Sequence, residues 1–97
     1  MSTTPSLPAF ADFSAQCGTA FSIASLDGVA LDLFEALPLD SRAPDERRFS
    51  LMFRGPALPA LEQAIHTLEH PVLGTLAIFL VPIGRDARGM QYQAIFN

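Results

Sequence analysis

Apolar and polar residues alternate with a period of two through most of the chain after Thr19, which is the spacing of half-buried strands. The cleanest case is Arg48 to Arg54, where Phe49, Leu51 and Phe53 face one way and Ser50, Met52 and Arg54 the other. Gly55-Pro56 ends that strand, since proline has no ladder donor. Upstream, Thr19 to Leu26 and Val29 to Leu37 flank Asp27-Gly28. That dipeptide predicts a hairpin with a type I′ turn, which needs positive φ at both positions. On its second strand Val29, Leu31, Leu33 and Leu37 are expected on the buried face, against Asp32, Phe34 and Ala36.

The segment from Pro59 to His70 fits two periods: Leu61, Ala64, Ile65 and Leu68 have helical spacing, while residues 64–70 also alternate. Its shortness and the proline that follows favour a turn over 59–63 and a strand over 64–70. Thr75 to Gly84 is apolar on both faces, as a central strand would be. Arg85 to Gly89 then turns the chain onto Met90 to Phe96, with Met90, Tyr92, Ala94 and Phe96 on one side. The final strand closes the chain, where an uncovered edge could pair with another chain.

Ahead of the strands, Ala9 to Gln16 predicts a short helix with Phe10 and Phe13 on one face, ended by Gly18 at the left-handed cap position. Cys17 beside that cap is expected to be small and buried. Residues 1–8 read as a flexible lead-in, and Pro38 to Arg47 as the longest irregular, mobile loop. The sum is one domain over residues 9–97. Its expected fold is all-β: six mainly antiparallel strands in a small barrel or two-sheet sandwich, with one short N-terminal helix.

Composition narrows the function classes. The chain has 97 residues, 49% of them hydrophobic with eight Phe, enough for a core without disulfides or metal. All six cations are Arg, and the net charge of −4 offers no basic patch for nucleic acid. The most apolar run, Leu76 to Ile83, is far short of the roughly 20 residues a membrane helix needs. No Sec-type leader precedes the domain, and one Cys fits a reducing compartment, so a cytoplasmic setting without membrane contact is expected.

The candidate chemistry is sparse. His66-Thr67-Leu68-Glu69-His70 spells H-x-x-E-H, an inverted zinc-protease motif that works only on a helix, where both His share a face at i and i+4. On a strand the two rings share a face about 13 Å apart, too far for one ion, and no third ligand follows. No metal or other cofactor is expected. Arg54 could pair with Glu69 or Glu62 beside the Gly55-Pro56 turn, or bind a ligand carboxylate. His70, held extended by Pro71, could bond turn carbonyls. Nothing in the sequence supplies a nucleophile elbow, phosphate loop or carboxylate dyad.

With these residues in hand, the chain resembles a family of small bacterial proteins, a domain of unknown function. The marks are Phe49-Ser50-Leu51-Met52-Phe53-Arg54-Gly55-Pro56, Leu68-Glu69-His70-Pro71 with Leu73-Gly74, Phe79-Leu80-Val81-Pro82-Ile83-Gly84 and Tyr92-Gln93-Ala94-Ile95-Phe96-Asn97. Gly18-Thr19-Ala20-Phe21 and Asp27-Gly28 fit it as well. The family pattern carries an aromatic where this chain has Ile65 or His66. The resemblance implies no assigned activity, but it suggests an accessory role beside phage-tail-like or surface structures. The expected function is therefore a non-enzymatic binding or assembly module with a protein partner, including self-association. The alternative is a small-ligand barrel with Arg54 as acid anchor. Arg54, His66, Glu69 and His70 are the candidate contact residues. An enzyme would need all four to converge in one cleft.

Overall fold

A computed structural model of the chain describes residues 8–39 and 48–96. Most of the lead-in, most of the 38–47 loop and Asn97 lie outside the described residues. A five-residue helix, α1 (Phe10–Ser14), precedes six strands: β1 (Ala20–Ile23), β2 (Ala30–Pro38), β3 (Phe49–Gly55), β4 (Ala64–His70), β5 (Gly74–Asp86) and β6 (Gly89–Phe96). All pairings are antiparallel, and the sheet closes into a ring in the order β1-β2-β3-β6-β5-β4, with β4 returning to β1. The six strands, the single short helix and the placement of a strand over 64–70 all match the sequence pattern.

The ring consists of two three-stranded meanders, β1–β3 and β4–β6, with the same plan. In each, the middle strand carries a register shift against the third. It leaves Phe34 extra between Leu33 and Glu35, and Ile83 extra between Pro82 and Gly84. Just before each shift stand matching inward rings, Phe53 opposite Leu33 and Tyr92 opposite Pro82. The meanders join by a long ladder between β3 and β6, from Phe49↔Phe96 to Gly55↔Met90. The second joint is short: Ser22↔Glu69 and Ile23↔Leu68, extended by the Ala24 N–H to the Thr67 carbonyl at 2.9 Å.

The interior is filled by Phe21, Leu31, Leu33, Leu51, Phe53, Leu68, Ile78, Leu80 and Tyr92, each fully buried or nearly so. Burying each such side chain stabilises the fold by about 1.5–3 kcal/mol. At one end α1 lays Phe13 across Phe21, Phe49 and Phe96, with ring centroids 5.6–6.5 Å away. The Asp12 carboxylate accepts the Ala9 N–H at 3.0 Å, holding the first turn of that helix. At the other end the Tyr92 hydroxyl accepts the N–H of buried Leu61 at 2.8 Å. This satisfies a donor that burial would otherwise leave unpaired.

Several expectations are corrected. The β1–β2 turn is not type I′: among described residues only glycines have positive φ, so Gly28 (φ 79°) has it and Asp27 does not. The strands stop earlier, and the Val29 N–H reaches the Leu26 carbonyl at 3.2 Å. Leu37 is half exposed rather than buried, because the extra residue Phe34 reverses the alternation and turns Ala36 toward the core. β5 is buried on one face only; Leu76, Ile78 and Leu80 point inward, while Ala77 and Phe79 face out. Cys17 is exposed. Its thiol is pushed up by partial burial and by the charge of Glu35, which weakens it as a nucleophile.

The final strand is not an uncovered edge either, since β6 lies between β3 and β5. One stretch of free backbone is on β2, which outruns its pairing with β1 and continues past Leu33, the last residue bonded back to Gly18 and Thr19. There the Leu39 N–H bonds the Arg48 carbonyl across β3. Alternation therefore turns the main-chain groups of Ala36 and Pro38 to the open side. Proline at that position removes the donor a new strand would need.

Candidate functional site

The structure separates the four candidate residues rather than gathering them. β4 presents His66 and His70 on its inner side and Glu69 on its outer side, while Arg54 is on the outer side of β3. The H-x-x-E-H pentapeptide is strand, so the helical geometry its chemistry requires is missing. No cleft brings the four side chains together.

His70 is the best-held of them, 5% exposed at the end of β4. Its Nδ1 accepts the backbone N–H groups of Val72 and Leu73 at 3.1 and 3.2 Å. Sequence reasoning expected turn carbonyls here; the proline-led turn instead directs two N–H groups back at the ring. An Nδ1 that accepts carries no hydrogen, so the proton sits on Nε2. Nε2–H then donates to Thr19 Oγ1 at 2.9 Å, and that hydroxyl donates to the Gln16 carbonyl at 2.6 Å. The imidazole also packs against Phe21, with centroids 4.4 Å apart. One buried ring thus ties the β4–β5 turn to the turn that follows α1.

Arg54 pairs with neither Glu69 nor Glu62. Its Nη2 reaches Asp86 Oδ2 at 3.2 Å, and its guanidinium lies 4.2 Å over the Phe34 ring. Arg54 Nε is buried without a hydrogen-bond partner. Asp86 also accepts the Arg88 N–H at 2.8 Å and the Gln91 amide at 2.7 Å. The Arg88 N–H comes first in holding the Asp86 carboxyl below its ordinary range, followed by Gln91, with Arg54 adding and partial desolvation opposing. This is a network on the outer surface, and the interior is packed with Phe and Leu side chains. Arg54 therefore lies on the outer side of the ring, apart from the packed interior.

His66 Nε2 lies 2.7 Å from the Glu62 carbonyl and closes the entry to β4. The Glu69 backbone carbonyl accepts from Ser22 Oγ at 3.3 Å, and its side chain is exposed. Among the described residues no group of three or more His, Cys, Asp or Glu could hold a metal ion, and no helix is long and apolar enough to cross a membrane.

Two residues that sequence reasoning passed over carry these networks, Thr19 and Asp86. Asp86 had a readable mark, an Asp two residues before the N–H it caps in a Gly-containing turn. Thr19 had none, since it meets His70 across 51 residues of chain. The other feature missed is the outer face of β1, β4 and the first half of β5. There Ile65 and Phe79 are cross-strand partners, 70% and 49% exposed.

Comparison with curated proteins and with solved structures gives no match. The sequence pattern of a family described as a domain of unknown function (DUF6916) matches residues 8–96, and the chain belongs to that family.

Proposed function

We propose that this chain is a non-enzymatic protein-binding or assembly module working through the outer face of β1, β4 and the first half of β5. The observation that carries the reading is the exposed cross-strand pair Ile65–Phe79. Around it the outward residues are Ala20, Ser22, Thr67, Thr75 and Ala77, and Glu69 is the one charge. Exposed apolar side chains grouped on an outer sheet face do nothing for the stability of a monomer, and such patches mark contact surfaces.

The occupant we assign is a second copy of the chain. A two-fold contact sets one patch against itself, which requires self-complementarity. A nearly neutral face meets that condition even though the whole chain carries −4. An accessory role in a phage-tail-like or surface assembly, in a cytoplasmic setting, belongs to the same reading.

Light scattering at tens of micromolar tests it. The expected result is a mass above the monomer that returns to the monomer in an Ile65→Ser, Phe79→Ser double variant. A strictly monomeric parent protein would overturn the proposal.

A further inference from the structure

We propose that the second copy joins by pairing its β5 with β5 along a bare edge over residues 75–79, so that one sheet runs through both copies. This rests on the reading that the outer face of β4 and β5 self-associates. β5 is the longest strand, 13 residues from Gly74 to Asp86. β4 pairs with it from Gly74 to Leu80, whereas its pairing with β6 begins only at Val81↔Gln93. β6 continues to Phe96 on its other side, laddered to β3. Among the described residues no strand pairs with β5 on the β6 side before Val81.

Alternation gives the direction of the main-chain groups on that edge. The Ala24 N–H reaches the Thr67 carbonyl, so the main-chain groups of Thr67 turn toward β1. Those of His66 and Leu68 then turn toward β5, where they meet Ile78 and Leu76. Thr75, Ala77 and Phe79 are left presenting their N–H and C=O groups to the open side. A strand edge of this kind is a template for another strand.

Two other open stretches are weaker templates. On β2, Pro38 removes a donor and Glu35 adds a charge. On β4, Ile65 is the one residue turned to that side beyond the Ala24–Thr67 bond. Residues 74–80 have neither proline nor charge. A second β5 fits this edge because the edge is its own complement. Antiparallel pairing about a two-fold axis at Ala77 sets Thr75 beside Phe79 of the partner subunit, a β-branched–aromatic pair. The small Ala77 side chain lets the two strands meet at the axis. The pairing also brings a neighbour to Phe79, 49% exposed in the single chain.

Ala77→Pro tests the edge directly. The Ala77 N–H faces the open side, so the substitution keeps the β4 ladder and removes a donor from the edge. By light scattering at tens of micromolar this variant is expected at the monomer mass with an unchanged circular dichroism spectrum, while Ala77→Ser keeps the parent's mass. Hydrogen exchange of the parent is the second measurement, and it decides the matter if Ala77→Pro does not fold. The Thr75, Ala77 and Phe79 amides should be protected roughly tenfold more at that concentration than after dilution to the monomer, as about one net hydrogen bond implies. The edge pairing is overturned if these amides exchange alike in both states, or if folded Ala77→Pro keeps the parent's mass. In either case a parent oligomer that the Ile65→Ser, Phe79→Ser variant dissociates leaves the face contact standing. A parent that is monomeric throughout overturns both.

Discussion

In the first meander the outward residues of β2 and β3 include Asp32, Glu35 and Arg54, and Arg54 is tied to Asp86 and stacked on Phe34. In the second, the outward residues of β4 and the first half of β5 carry Ile65, Phe79, Thr67, Thr75 and Ala77 with only Glu69 charged. Inside, the two halves are equivalent, each with a one-residue shift beside an inward aromatic ring. What differs is therefore not needed to build the ring. The shared inner plan answers to packing, and the unequal outer faces fit the contact surface proposed for β1, β4 and the first half of β5.

Substitutions in the two halves probe this contrast. Phe53→Ala in the first half should cost about 3–5 kcal/mol in chemical denaturation, since a buried ring leaves a cavity that the closed sheet cannot collapse. The two hairpin glycines should separate next. A Cβ at Gly89, where φ is 135°, would meet the Gly55 carbonyl, so Gly89→Ala should cost about 3 kcal/mol. Gly28→Ala faces open space and should cost about 1 kcal/mol from positive φ alone. Equal losses at the two glycines would break the argument that backbone approach, rather than turn conformation, sets the larger cost.

Tyr92→Phe keeps the ring equivalent to Phe53 but leaves the buried Leu61 N–H without its acceptor, for a loss of about 1–2 kcal/mol. On the outer face, Phe79→Thr should change stability by no more than about 0.5 kcal/mol. Thermal melts of the two variants should differ accordingly. The smallest effect is that of Asp86. Its folded-state carboxyl is held below the ordinary range, so its contribution is present above about pH 3.9 and lost as pH falls toward the lower folded value. Asp86→Asn should flatten that part of the acid-side slope, with a small loss of stability near neutrality that disappears in acid, where the parent carboxyl is protonated too.

Most of the strand plan was readable because burial on one face imposes a period of two. β3 is the clearest example, with Phe49, Leu51 and Phe53 inward throughout. The pattern failed where one residue was inserted: Phe34 looks like any other strand position, yet it reverses Leu37 and Ala36. β5 misled for a different reason. Apolar residues on both faces resemble a doubly buried strand, and only the closed ring tells that Phe79 meets solvent. The site was less readable still. His70 could be singled out, but its partner Thr19 is 51 positions away, and Arg54 finds Asp86 at a separation of 32. Such pairings follow from closure, which local spacing does not encode.

The joint between β1 and β4 rests on two paired positions, and its Ser22–Glu69 contact spans 47 residues. Joining so distant a pair carries the loop-closure entropy of nearly half the chain, for little local reward. The long β3–β6 ladder and the hairpins bring more contact for each residue ordered, so the ring is expected to zip from that side and seal at β1 last. The same joint should be the first to breathe. Native-state hydrogen exchange at Ala24, whose N–H bonds Thr67 across the joint, should then run faster than at β3. Folding of this protein is thus governed at its final step by a four-residue strand finding its seat.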